Sequence, residues 1–422
     1  MKSAPASLES SRSRALGSRW HQLSAGLICM MAISSPQYVW TLFTGPLSAK
    51  LGGSLAQIQV TFSLLIILQT FFSPVQGYLV DRFGIKQLIA TGCGLSGLSW
   101  ILASQASSLT ELYLSYGVVG GLGTGIVYVG IVGLMVRWFP DRRGLAAGAV
   151  AAGYGMGAMV TTFPISNALA SVGMETTLMI FGAALGLVGL LASQFLRQPP
   201  AEALQTDIRV AHSVVDVAPK QMLKTPLFWL MFIMFTMMST SGLMVTSQMA
   251  SFAKDFGMTQ VMVFGMNALP LALTIDRICN GLTRPLFGWI SDHWGRENTM
   301  ALAFCFEGIA MTLWLSTSDN PVLFVLLSGV VFLGWGEIFS LFPSTLTDTF
   351  GTRHATTNYG FLYMAQGIGS IFGGPVAALL HQYTESWIPV FAVAISFDLI
   401  TAALAFFVLK RLRASWLAKH AL

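Results

Sequence analysis

Charge is what this 422-residue chain has least of. Asp, Glu, Lys and Arg make up 10% of it, against about 25% in an ordinary soluble domain. So little solvating surface excludes a soluble enzyme, a nucleic-acid binder and a disordered scaffold together. Cysteine is scarce too. Cys29, Cys93, Cys279 and Cys305 sit apart from one another inside apolar blocks, so neither a disulfide framework nor a metal site is indicated. The six histidines (His21, His212, His293, His354, His381 and His420) lie in loops or at the ends of apolar runs. No nucleophile–base pair, metal cluster or cofactor motif is legible, so an enzyme is not expected.

What the chain has in abundance is long hydrophobic runs. Hydrophobic residues make up 54% of it, and the mean hydropathy is +0.67. A bilayer core about 30 Å thick needs roughly 20 helical residues per crossing. Runs of that length lie near 22–44, 57–79, 88–107, 112–137, 144–168, 175–197, 226–250, 262–290, 299–317, 321–345, 357–380 and 387–409. The reading is an all-α membrane protein with twelve transmembrane helices. The first run is not a cleaved signal peptide: it is too long, has no small-residue cleavage site, and contains Gln37, Tyr38 and Trp40.

The net charge of +5 is a topology signal. Placing both termini on one side puts 19 of the 23 Lys and Arg residues there, leaving only Lys50 and Lys254 opposite and Arg277 and Arg284 within a span. By the positive-inside rule that side is the cytoplasm. The expected location is the cell (inner) membrane, with the lipid bilayer as partner and no nucleic acid. Residues 198–225 form the longest polar stretch, a cytoplasmic linker between six-span halves at 1–197 and 226–422.

The chain repeats itself at an offset of 211 residues. Pro74-x-x-Gly77-x-x-x-Asp81-x-x-Gly84 falls on Pro285-x-x-Gly288-x-x-x-Asp292-x-x-Gly295, and Leu122-Gly123-x-Gly125 falls on Leu333-Gly334-x-Gly336. Phe139 and Arg142 fall on Phe350 and Arg353, and Gln37 on Gln248. An even number of spans per half gives both halves the same orientation. The loop Gly77-Tyr78-Leu79-Val80-Asp81-Arg82-Phe83-Gly84-Ile85-Lys86 and its partner Gly288 to Arg296 resemble the signature of the major facilitator transporters. That resemblance implies a pseudo-symmetric pair of six-helix halves with a substrate site between them near the midplane. Gly77, Asp81, Arg82, Gly84, Gly288, Asp292, Gly295 and Arg296 are then a cytoplasmic gate. Its glycines permit tight turns, and its Asp caps a helix start or pairs with an Arg.

Charges inside spans cost about 2.5–3.5 kcal/mol each on insertion scales, so each is a functional candidate with a partner to find. They concentrate in the C-terminal half. Arg277, Asn280 and Arg284 of span 8 are spaced i, i+3, i+7 on one stripe, with Asp276 at its edge. Span 10 adds Glu337. Glu307 and Asp398, in spans 9 and 12, read as structural or cavity-edge groups. Two guanidiniums on one face suit a carboxylate. The alternative is neutralisation by the protein, with Arg277 paired to Glu337 or Asp276. Asp276 and Glu337 are also candidates to carry a coupling proton.

A closer resemblance is to the oxalate/formate antiporters. It rests on Gln37-Tyr38-x-Trp40, Gly123-x-Gly125-Ile126-Val127-Tyr128, Arg137-Trp138-Phe139-Pro140-Asp141-Arg142-Arg143-Gly144, Asn280-Gly281-x-x-Arg284-Pro285, Leu341-Phe342-Pro343-Ser344 and Asn358-Tyr359-Gly360. In that family an Arg in span 8 and a Lys in span 11 grip oxalate inside an aromatic cage. The resemblance implies a monomer whose substrate-binding residues are Arg284, Gln37, Tyr38, Tyr128, Trp335, Phe339, Tyr363 and Gln366. Three positions depart from it. Gln366 stands in place of the Lys, Phe339 lacks the expected hydroxyl, and Glu337 brings a negative charge. One unbalanced cation cannot neutralise a dianion in a dry cavity. The expected substrate is therefore a small monocarboxylate such as formate, pyruvate or lactate, moved by proton symport or anion exchange. Oxalate exchange, and an anion sensor that signals without transporting, are the alternatives.

Overall fold

The computed structural model describes residues 6–200, 216–258 and 260–420. It is built almost entirely of helices. Among the described residues, nine helices are long and apolar enough to cross a bilayer, and two bent helix pairs meet the same test. A further 27-residue helix, Ala268–Trp294, carries the charges of span 8. At 1.5 Å per residue it is about 40 Å long, enough to cross. The twelve expected spans are thus all present, three of them in forms that hydropathy does not show.

The chain divides into two compact units: residues 1–208 with 354–363, and residues 209–353 with 364–422. Much of the linker, 201–215, lies outside the described residues. Its continuation holds a short helix, Pro219–Met222, and Asp216, whose carboxylate accepts the backbone N–H groups of Thr352 and Arg353 at 2.8 and 2.9 Å.

In the first unit, span 1 is Ser18–Tyr38 plus Thr41–Leu51, bent by 49°, and span 2 is Gln57–Phe71 plus Ser73–Phe83, bent by 52°. The second bend falls where Pro74 occupies the first turn of a new helix; proline tolerates that place because no N–H is needed there. Spans 3 to 6 are Ile85–Ser104, Leu109–Trp138, Arg143–Val172 and Met174–Ser193. Their closeness comes from small residues. A Cβ on Gly123 would lie 2.6 Å from the Ser96 nitrogen, and one on Gly182 would lie 2.8 Å from the Gly97 carbonyl oxygen. With no hydrophobic drive between helices in lipid, such backbone approach supplies the packing.

In the second unit, span 7 is Pro226–Asp255. The predicted start of span 8, 262–267, is instead a two-stranded hairpin pairing Met262 with Asn267 and Val263 with Met266. Its turn needs positive φ at Phe264 and Gly265. Spans 9 to 12 are Arg296–Ser316, Pro321–Phe350, Ala355–Thr384 and Trp387–Lys419, span 11 passing from the first unit into the second at Tyr363. Span 10 breaks at Gly336 and Glu337 into Pro321–Trp335 and Ile338–Phe350. Thr283 donates its hydroxyl to the Leu333 carbonyl beside that break, satisfying a backbone acceptor that bilayer lipid cannot.

Candidate functional site

The two signature loops turn on matched glycines: Gly84 has φ +97° and Gly295 φ +94°, conformations that a residue with a Cβ resists. Asp81 forms an ion pair with Arg137 and accepts the backbone N–H and hydroxyl of Thr357 at 2.9 and 2.6 Å. Arg137 also donates to the Thr356 hydroxyl. A Cβ on Gly77 would lie 2.6 Å from the Thr356 carbonyl oxygen, so this close approach of two backbones needs glycine. Arg82, by contrast, is exposed and donates to the Tyr78 hydroxyl.

The second loop is wired differently. At the 211-residue offset Asp81 corresponds to Asp292, but Arg137 corresponds to Asp348, which reverses a charge. Arg296 restores balance by bridging both acids, Nη1 to Asp292 at 2.6 Å and Nε to Asp348 at 2.8 Å, with all three side chains 2% exposed or less. Gly288 is buried, and its carbonyl accepts the Ser291 hydroxyl.

Within the first unit a group of tyrosines converges. Tyr128 stacks on Tyr363 with ring centroids 4.8 Å apart, and Tyr154 meets both Tyr128 and Tyr38 edge-on at 5.1 and 5.4 Å. The Tyr154 hydroxyl donates to the Gln37 amide oxygen, and Gln69 donates to the hydroxyls of Tyr154 and Tyr363. A chain of four neutral hydrogen-bonding groups, Gln37, Tyr154, Gln69 and Tyr363, runs through an apolar interior.

The second unit holds the charges. Arg284 is 2% exposed. Its Nη2 donates to Asn280 at 2.7 Å, one helical turn earlier, and its guanidinium lies over the Phe339 ring at 4.5 Å. That geometry is a cation–π contact on the face of an aromatic. Glu337 lies within electrostatic reach of Arg284. Asp276 instead faces Ser328 and Arg277, and Arg277 lies exposed. Of the two partners open to Arg277, Asp276 is the one beside it. Trp335 is buried, its indole N–H donating to the Met238 carbonyl and its edge against Phe339. The Gln366 amide oxygen accepts no hydrogen bond from a described residue.

The family model for the Major Facilitator Superfamily matches residues 23–275 and 269–420. This chain belongs to that superfamily. It is 33% identical to the oxalate:formate antiporter of Oxalobacter formigenes, over 94% of this chain and 93% of that protein. It is 25% identical to monocarboxylate transporter 13 of Bos taurus, over 81% and 78% respectively. Among solved structures, the superfamily's proton:xylose symporter XylE matches with a TM-score of 0.74, covering 95% of this chain and 99% of that one at 11% identity. That last likeness concerns the fold alone. The superfamily consists of transporters and not enzymes.

Against that superfamily frame, two polar residues escaped sequence reasoning. Tyr154 and Gln69 join Gln37 to Tyr363, yet neither carries a charge. An uncharged polar group at span depth was the available signal, weaker than a charge because its desolvation cost is lower. Glu307 and Asp398, expected to be structural or cavity-edge groups, both lie within electrostatic reach of Glu337.

Proposed function

We propose that this protein is a secondary transporter of small monocarboxylates such as formate, pyruvate or lactate, working by alternating access. Arg284 takes the carboxylate, because its guanidinium is a planar fork held in place by Asn280 and Phe339. Gln37, Tyr38, Tyr128, Trp335, Phe339, Tyr363 and Gln366 line the path of the acid. Asp276, Arg277 and Glu337 form the charged surroundings, and the loops at 77–86 and 288–296 close the cytoplasmic side. Both termini are cytoplasmic, the membrane is the cell (inner) membrane, and the working unit is a monomer.

The observation that carries this reading is the charge balance at Arg284. Its guanidinium has the Glu337 carboxyl within electrostatic reach, and Gln366 adds no cation. A second substrate carboxylate would remain uncompensated in a dry interior, at a cost of several kcal/mol. The resemblance to a monocarboxylate transporter supports the same class. Proteoliposome uptake of labelled formate, pyruvate, lactate and oxalate tests it. Monocarboxylate uptake abolished by Arg284→Gln is expected. Oxalate bound far more tightly than every monocarboxylate would overturn the substrate class, and absence of any uptake would leave the sensor reading.

A further inference from the structure

Three carboxyl side chains of the second unit are fully buried: Glu307 of span 9, Glu337 of span 10 and Asp398 of span 12, each 0% exposed. Small residues bring their helices together. A Cβ on Gly334 would lie 2.6 Å from the Cβ of Glu307, and one on Gly308 would lie 3.3 Å from the Cβ of Asp398. Glu307 is in electrostatic contact with both Asp398 and Glu337, and Glu337 with Asp398 and Arg284. Ser241 of span 7, itself 0% exposed, lies beside Asp398. No carboxyl oxygen of Glu307, Glu337 or Asp398 accepts a hydrogen bond from a described residue.

An acid buried this deeply with no hydrogen-bond donor has no structural reason to be an acid. A hydrophobic side chain of similar volume would pack there at no electrostatic cost. Nor can three ionised carboxylates share one dry interior near one guanidinium, because like charges at close range in low dielectric repel too strongly. The ligand that relieves that repulsion is the proton.

We propose that Glu307, Glu337 and Asp398 form a proton-holding site that couples proton movement to carboxylate binding through Arg284, so that one proton travels with each monocarboxylate. The proposal rests on the function given above. In the substrate-free protein the Arg284 guanidinium balances the Glu337 carboxylate. An arriving monocarboxylate takes the Arg284 fork and removes that counter-charge. Glu337 then forms an O–H bond with a proton passed from Glu307 or Asp398, whose own O–H bond breaks and is remade with a proton from the aqueous phase. One anion and one proton enter together, so the loaded site gains no net charge. Glu307 and Asp398 do not touch substrate; they are positioning and relay groups.

The test uses the full chain in proteoliposomes with a labelled monocarboxylate, comparing Glu307→Gln and Asp398→Asn with wild type. Two modes are measured: accumulation driven by a proton gradient, and exchange of internal for external substrate, which needs no net proton movement. In wild type, a pH gradient drives accumulation and a membrane potential alone does not. In both variants gradient-driven accumulation falls by about tenfold or more, while exchange stays within about threefold of wild type. Three results overturn the proposal: wild-type uptake indifferent to the pH gradient, unchanged gradient-driven uptake in both variants, or loss of exchange together with accumulation in both, which would mark a structural role. The infrared C=O stretch of protonated carboxyl groups in purified protein gives a reading independent of transport. It is expected in wild type at neutral pH and diminished in each variant, and its absence from wild type overturns the proposal. Failure of the function itself is recognised separately, as absence of both uptake and exchange in wild type.

Discussion

Arg296 is the most exacting structural test. Its guanidinium sits between Asp292 and Asp348, at 2.6 and 2.8 Å, and its Nη1 also donates to the Ser291 hydroxyl. Replacing it with Gln keeps much of the volume but removes the cation from two buried carboxylates. Removing one partner of a buried pair costs about 3–5 kcal/mol, and with two acids dependent on one guanidinium the upper end applies. For a unit of about two hundred residues, each kcal/mol moves the midpoint by about 2–4 °C, so Arg296→Gln should unfold about 10–20 °C below wild type. Unfolding in detergent is commonly irreversible, so variants are compared at one scan rate. The reasoning makes a second demand. If loss of charge balance is the cause, adding Asp348→Asn to Arg296→Gln removes an acid and recovers part of the loss, and adding Asp292→Asn recovers more. Arg296→Lys keeps the charge but not the fork, and should fall between. The account is refuted if Arg296→Gln unfolds within about 2 °C of wild type, or if the combined variants are no more stable than the single one.

Two further outcomes follow from the polar groups in the spans. Gln366→Lys adds a second cation where the amide oxygen now has no partner; transport competition should shift toward oxalate by about tenfold or more, since a charge-assisted hydrogen bond contributes about 1.5–3 kcal/mol. A variant whose preference between oxalate and monocarboxylates is unchanged refutes the charge-balance argument. Tyr154→Phe deletes the hydroxyl linking Gln37 and Gln69. At about 1 kcal/mol per neutral hydrogen bond, KM should rise about fivefold with little change in folding, and an unchanged KM for every acid would remove Tyr154 from the substrate path.

Span number was legible because a bilayer imposes length and apolarity on a helix whatever its packing. The repeat made the gate loops legible, since turn glycines and their acids recur at a fixed offset. The breaks were not. Span 2 bends where Ser73 and Pro74 begin a new helix, and a proline in an apolar run is compatible with either a kink or a fresh start. The hairpin at 262–267 escaped because Met262, Val263 and Phe264 are apolar enough to pass for the start of a helix. At the site, Arg284 was legible as a charge at span depth. Its facing acid was not, because Arg277 and Arg284 lie two turns apart on one stripe and only the position of span 10 decides which of them Glu337 meets. The grouping of Glu307 with Asp398 depends on three helices meeting, and no spacing within one helix reports it.

The two gate loops share a backbone but not a charge pattern, and this restricts how one pattern can be converted into the other. An acid at position 348 faces Asp292 across a buried contact, so converting an Arg there to Asp leaves two carboxylates together unless Arg296 is already in place. Introducing Arg296 while an Arg still stood at 348 would set two guanidiniums on one acid, an excess that lipid phosphates or water at the membrane surface can balance more readily than a buried pair of acids. In converting the first pattern into the second, the passable order is the new arginine first and the charge reversal second. The same arithmetic limits engineering. A second-half loop grafted onto the first brings its own arginine to a place where Arg137 already serves. The reverse graft leaves Asp348 facing an acid with no cation between them.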